Sequence, residues 1–149
     1  MEEINQFKGE HAFLSNFFIV QVTMDGVTYP SVENAYQAAK TFESRTEFAH
    51  CTPGEAKRMG QQVDLRSDWE NVKDRVMFHL LEKKFQSPYL RKKLVATHPR
   101  KLVEGNWWGD EYWGRCRGKG QNKLGQMLMK LRERYRQEEE EAWATRVAE

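Results

Sequence analysis

Four helix-start signals recur along the chain, and they limit the fold more than any other feature. Ser31 follows Pro30 and stands ahead of "VENAYQAAK", as an N-cap would. "TPGE", residues 52 to 55, reads as a capping box with Pro53 at the first helical position. "SDWE", residues 67 to 70, reads as a second box opening a long helix through Phe85. In it Trp69, Val72, Val76 and Leu80, with Met77, Leu81 and Phe85, fall at helical spacing. Ser87-Pro88 opens a short helix carrying Leu90, Leu94 and Val95. From Lys123, the positions Leu124, Met127, Leu128, Leu131 and Tyr135 predict a last helix. Strand signals gather at the start. "FFIVQVTMDGVTYP" runs apolar, then alternates around Asp25-Gly26, a strong hairpin dipeptide. The expected fold is α+β: a compact, mainly helical single domain with a small antiparallel sheet near the N-terminus.

With 149 residues the chain suits one domain and one core. The net charge of +2 excludes a uniformly basic nucleic-acid coat, but it conceals asymmetry. From Arg115 to Arg136 there are eight basic residues and one acid, Glu133; then Glu138 to Glu141 follow. The basic stretch can face phosphates, and residues 137–149 read as a charged, solvated tail. Cys51 and Cys116 form no metal or redox spacing, and His11, His50, His79 and His98 form no zinc motif. No metal or cofactor is expected. "MEEINQFKGE" lacks an apolar signal region, and no apolar run is long enough to span a bilayer. The expectation is a cytoplasmic, reducing location without membrane contact.

Within "SVENAYQAAK", Glu33, Gln37 and Lys40 fall in a helical wedge of roughly 60°. A solvated face of an amphipathic helix is one reading. A ligand-facing row, flanked by Tyr36, is the other. The segment from Glu104 to Asn122 is a long aromatic loop. Trp107, Trp108, Tyr112 and Trp113 offer faces for stacking a base, and Asp110 adds a carboxylate. Gly114, Gly118 and Gly120 permit close backbone approach, and a helix begins just after them. That is a place for phosphate, with Arg115, Arg117, Lys119 and Lys123 adding charge. A packed aromatic turn with solvated basic residues is the alternative. Trp69 has two readings as well, core or cleft edge.

Four blocks in order resemble the YbiA-like, or NADAR, family: "FKGEHAFLSNFF", "YPSVENAYQAAK", "LRSDWENVKDRVM" and "EGNWWGDEYWGRCRGKGQNKLGQMLM". The resemblance covers nearly the whole chain, a domain over 1–136, with 137–149 outside it. Many relatives have His where this sequence has Asn34, a departure one residue after the acid. The resemblance implies N-glycosidase activity, cleaving a ribose C1′–N bond without metal or redox cofactor. It implies Glu33 as the essential acid of an E-x-x-x-Q-x-x-K pattern completed by Gln37 and Lys40. The family's Asp-Trp pair falls on Asp68 and Trp69, its D-x-x-W-G on Asp110, Trp113 and Gly114, and its G-x-N-x-L-G on Gly120, Asn122, Leu124 and Gly125.

The expected catalytic groups are therefore Glu33, Lys40 and Asp110. Gln37, Tyr36, Asp68, Trp69, Trp107, Trp113, Gly114, Gly118, Gly120 and Asn122 are expected to bind substrate. The expected partner is an ADP-ribosyl or ribosyl-nitrogen compound, foremost ADP-ribosylated guanine in DNA or RNA; relatives that act on early riboflavin-pathway intermediates supply the alternative. A non-catalytic ADP-ribose reader and a nucleic-acid adaptor are two further classes. Neither needs a poised acid and amine, so the intact stripe favours the enzyme.

Overall fold

The computed structural model describes residues 2–149 as a mixed, helix-rich fold with a small antiparallel sheet. The chain gathers into two compact units. One is Asn16–Gln86; the other joins Ser87–Glu149 with the N-terminal segment through Ser15.

In the first unit, β1 (Val22–Met24) and β2 (Val27–Tyr29) pair antiparallel, with Thr23 opposite Thr28. Asp25 and Gly26 both take positive φ, 50° and 80°, as the tight hairpin turn predicted from their dipeptide requires. The chain then enters α1 (Val32–Ala39), capped by the Ser31 hydroxyl accepting from the Asn34 N–H at 3.1 Å. All eight α1 residues are buried. Helix α2 (Pro53–Gly60) starts at the predicted Thr52–Glu55 box, with both reciprocal bonds in place at 3.1 and 2.9 Å.

The box expected at Ser67–Glu70 does not form. Helix α3 (Trp69–Lys84) begins after Asp68, whose side chain makes no cap bond. The Arg66 guanidinium takes that carboxylate in a fork, at 2.6 and 3.1 Å, and Glu70 pairs instead with Lys73 at 2.7 Å. A charged, bidentate partner two residues away outcompetes the local cap.

In the second unit, Ser87 caps α4 (Pro88–Ala96) as expected, accepting from the Leu90 N–H at 3.3 Å. Helix α5 (Lys123–Ala148) packs on α4, and Leu124, Leu128, Leu131 and Tyr135 are among its buried residues. Arg132, buried on the same face, donates to the Thr97 hydroxyl at 3.0 Å and the Arg100 carbonyl at 2.7 Å. Helix α5 continues through the segment read as a tail, where residues 137–149 are all exposed. Between α4 and α5 the chain is mostly loop. Ile4 bridges Leu102, and β3 (Gly105–Asn106) pairs in parallel with β4 (Arg115–Cys116).

One side chain defies its composition. Lys84 lies on the buried face of α3 with Met77, Leu80 and Leu81, and is only 1% exposed. Its amine stands 5.6 Å from the centre of the Phe18 ring and 5.4 Å from that of Phe85. Burial pushes its pKa from the ordinary 10.5 down to about 7.

The unfolded chain then holds a proton between about 7 and 10.5 that the folded chain has released, so stability rises with pH across that window. Below it the amine is charged in both states and the full desolvation penalty remains. Lys84→Met should be more stable than wild type at neutral pH, with the gap closing as pH climbs. Urea midpoints of the two proteins across the window check this; a gap independent of pH would show that the amine does not titrate there.

Candidate active site

The unit Asn16–Gln86 holds Glu33, Tyr36, Gln37, Lys40, Asp68 and Trp69. Burial decides against the solvated reading of the α1 stripe: Glu33 is 8% exposed and Gln37 4%. A carboxylate in such a place needs donors. Gln37, one turn along, supplies one, its Nε2 donating to Glu33 Oε1 at 2.9 Å. The helix N-terminus adds a favourable field at Glu33, which lies in the first turn.

Lys40 terminates the helix. Its N–H donates to the Gln37 carbonyl at 3.2 Å, and its own carbonyl accepts from the Arg66 N–H at 2.8 Å. Burial lowers the pKa of its amine; Glu33 raises it by a smaller amount, while Lys57 and Lys73 lower it further. The result is an amine more readily deprotonated than a surface lysine. Its Nζ is 5.7 Å from the centre of the Tyr36 ring. That ring in turn packs at 5.2 Å, tilted by 56°, on Trp69. Trp69 is itself only 5% exposed, so it buttresses Tyr36 from within the core.

Arg66 escaped the sequence reading. It draws the Asp68 carboxyl below its ordinary pKa through their hydrogen bonds, and it ties Asp68 and Trp69 to the end of α1. Its position two residues before Asp68 was the only available signal. Asn34, where the family resemblance implies His in many members, is wholly buried. It accepts from the Ser31 hydroxyl and donates to the carbonyls of Phe48 and Cys51 at 2.8 and 2.9 Å. The departure from the family pattern therefore concerns how segment 45–51 is anchored beneath α1.

The other unit holds Trp107, Asp110, Trp113, Gly114, Gly118, Gly120 and Asn122. Asp110 organises the aromatic loop. Its Oδ1 accepts from the N–H groups of Tyr112 and Trp113 at 3.0 and 2.9 Å. Asn106, also missed in the sequence, clasps the Asp110 backbone from both sides, accepting its N–H at 3.0 Å and donating to its carbonyl at 2.8 Å. The same Asn106 Nδ2 reaches Glu104 Oε2 at 3.1 Å, and a Cβ at Gly114 would overlap the Glu104 side chain and backbone. Gly114 is thus a packing requirement of the turn. Trp107, 81% exposed, meets Trp108 edge to face at 5.6 Å, and Tyr112 meets Trp113 the same way at 4.9 Å.

Part of the backbone expected to meet phosphate at the start of α5 is already engaged. The N–H groups of Gln121, Asn122, Lys123 and Leu124 all donate to carbonyls of residues 111–114, at 2.7 to 3.2 Å. Asn122 is buried in a left-handed conformation. Its side chain accepts from the Glu104 N–H and donates to the Leu102 carbonyl, both at 2.9 Å. Positive φ at Arg117 and Gly118 forms the turn that joins Cys116 to Lys119. Of the basic side chains of this loop, Arg117 and Lys119 are exposed.

Among the described residues no group of three or more His, Cys, Asp or Glu could hold a metal ion, and no helix is long and apolar enough to cross a membrane. The arrangement in the first unit offers a buried carboxylate held by an amide donor, and an amine of lowered pKa two turns along.

The NADAR domain family matches residues 4–136. N-glycosidase YbiA of Escherichia coli K12 is 42% identical over 131 residues, covering 83% of this chain and 81% of that protein. Riboflavin biosynthesis protein VVA0006 of Vibrio vulnificus is 33% identical over 130 residues, which cover 83% of this chain and 35% of that longer protein. The NMR structure of E. coli YbiA superposes with a TM-score of 0.80 at 39% identity, over 93% of this chain and 89% of that one. The chain belongs to the NADAR domain family, alongside the YbiA N-glycosidases that it resembles over most of its length.

Proposed function

We propose that the chain is an N-glycosidase that hydrolyses a ribose C1′–N bond. The buried Glu33–Gln37 pair, with Lys40 at the end of the same helix, is the observation that carries this reading. Departure of the nitrogen leaves positive charge at C1′, which a carboxylate stabilises and against which it can deprotonate water. In that route the water oxygen bonds to C1′, the C1′–N bond breaks, and the proton passes to the leaving nitrogen. In a second route the neutral Lys40 amine forms an imine with the ring-opened sugar and releases the nitrogen base; water then hydrolyses the imine. The burial-lowered pKa of Lys40 favours the second.

For the substrate we favour ADP-ribosylated guanine in nucleic acid. The exposed Trp107 and the exposed basic pair Arg117 and Lys119 sit on one loop and supply stacking and charge for a strand. Relatives named for riboflavin biosynthesis support a second reading, an early intermediate of that pathway. Incubation with an ADP-ribosylated guanine oligonucleotide and, separately, with riboflavin-pathway intermediates, read by mass spectrometry, separates the two. Release of neither base would remove the enzyme reading.

Glu33→Gln keeps the volume and an oxygen for Gln37 to bond. It should retain the melting temperature and lose turnover on the order of 10²–10⁴-fold. A wild-type rate in the folded variant would exclude the role.

Lys40→Arg should abolish turnover, and borohydride added during wild-type turnover should leave a sugar adduct on Lys40, since guanidinium is no useful nucleophile at neutral pH. Peptide mapping decides the residue: an adduct on Lys84 would move the role to that buried amine, and no adduct with an active Lys40→Arg would leave the water route.

Asp110→Asn still presents an oxygen to the Tyr112 and Trp113 N–H groups, so the loop should persist. If the carboxylate serves the reaction, activity should fall while the tryptophan near-UV dichroism stays unchanged. A variant as active as wild type would confine Asp110 to holding the turn.

A further inference from the structure

Gly60 ends α2, and nothing in its backbone calls for glycine: its φ is not among the positive ones, and glycine in a helix is less stable than alanine. What the position lacks is room. A Cβ built there would overlap Gln37 Oε1, stand 2.7 Å from its Cδ and 3.3 Å from its Cβ; all three nearest atoms belong to Gln37. By contrast a Cβ at Gly54, on the same helix, would meet only Arg58 Nη1 at 3.9 Å.

The same Oε1 is buried with no hydrogen-bond partner. The other end of the amide donates to Glu33. Turned over, the amide would set its oxygen against the Glu33 carboxylate, oxygen to oxygen. The missing side chain at residue 60 therefore gives Gln37 the space in which its donor end faces the acid.

We propose that Gly60 is a positioning residue: the absence of a Cβ there lets Gln37 hold the Glu33 carboxylate in its working place. The inference rests on the catalytic reading of Glu33. Its test has one arm that needs no substrate. In ¹⁵N-labelled full-length protein, the Gln37 side-chain NH₂ signal, assigned by its loss in Gln37→Ala, should be protected from hydrogen exchange. Gly60→Ala should shift that signal and expose it; Gly54→Ala should leave it as in wild type. In the second arm, on the ADP-ribosylated guanine oligonucleotide, Gly60→Ala should lower kcat on the order of tenfold with KM little changed. In a Gln37→Ala background, which vacates the contested space, Gly60→Ala should cost nothing more.

An unshifted Gln37 signal and wild-type kcat in Gly60→Ala would overturn the proposal, as would losses that add in the double variant. If Gly60→Ala fails to fold, the double variant decides: a folded Gly60→Ala/Gln37→Ala protein identifies Gln37 as the neighbour that matters, and an unfolded one refutes it. Wild-type turnover by Glu33→Gln would sink the functional reading alone, because the spectroscopic arm still judges Gly60. An inactive Glu33→Gln beside a normal Gly60→Ala would sink this inference alone.

Discussion

A short helix buried on every side must answer the polar groups it carries, and α1 does so for Glu33, Asn34 and the donor end of Gln37, while Gln37 Oε1 stays without a hydrogen-bond partner. Asn34 spends its amide on the carbonyls of segment 45–51. Gln37 and Glu33 answer one another. The backbone at the helix start is met by Ser31 and by Asn16, whose carbonyl accepts the Glu33 N–H at 3.0 Å. An unpaired polar group here would cost about 1–3 kcal/mol, so the row is dictated by burial as much as by chemistry. Under the proposed catalytic reading, a row made this way is organised before any ligand arrives, the condition under which a carboxylate works best on developing charge.

The hairpin and three of the helix starts were legible because their determinants are local. Asp25-Gly26, Ser31, Thr52 with Glu55, and Ser87 each act within four residues. The fourth start fell one residue beyond the predicted cap: α3 begins after Asp68, and Glu70 bonds Lys73 rather than closing a box. The stripe of Glu33, Gln37 and Lys40 was visible as a spacing, but spacing alone could not tell a wet face from a ligand-facing one; the family resemblance tipped that choice, and the burial of Glu33 and Gln37 speaks against the wet face.

Distance along the chain hid the rest. The donors of Gln121 to Leu124 are consumed by carbonyls some ten residues earlier, a pairing that no glycine pattern announces. The Asn122 side chain rivets the Leu102–Glu104 segment to the head of α5, a bond to carbonyl and N–H groups far back in the chain. Asn106 went unremarked among the indoles, yet it grips Asp110 from both sides. The acidic run after Arg136 read as tail because its composition forbids burial; it can be helical all the same, since an exposed helix asks only for backbone bonds and tolerable charge spacing.

Lys84 gives the fold a property of a different kind. An amine that is largely shielded from water and whose pKa burial lowers to about 7 is chemically ready but sterically hidden. An acylating reagent at neutral pH would meet it only when the Asn16–Gln86 unit opens, whereas surface lysines react at once. The slow phase of labelling at this one residue is consequently a clock for the breathing of the unit that carries the carboxylate and amine, readable without spectroscopic probe or substitution.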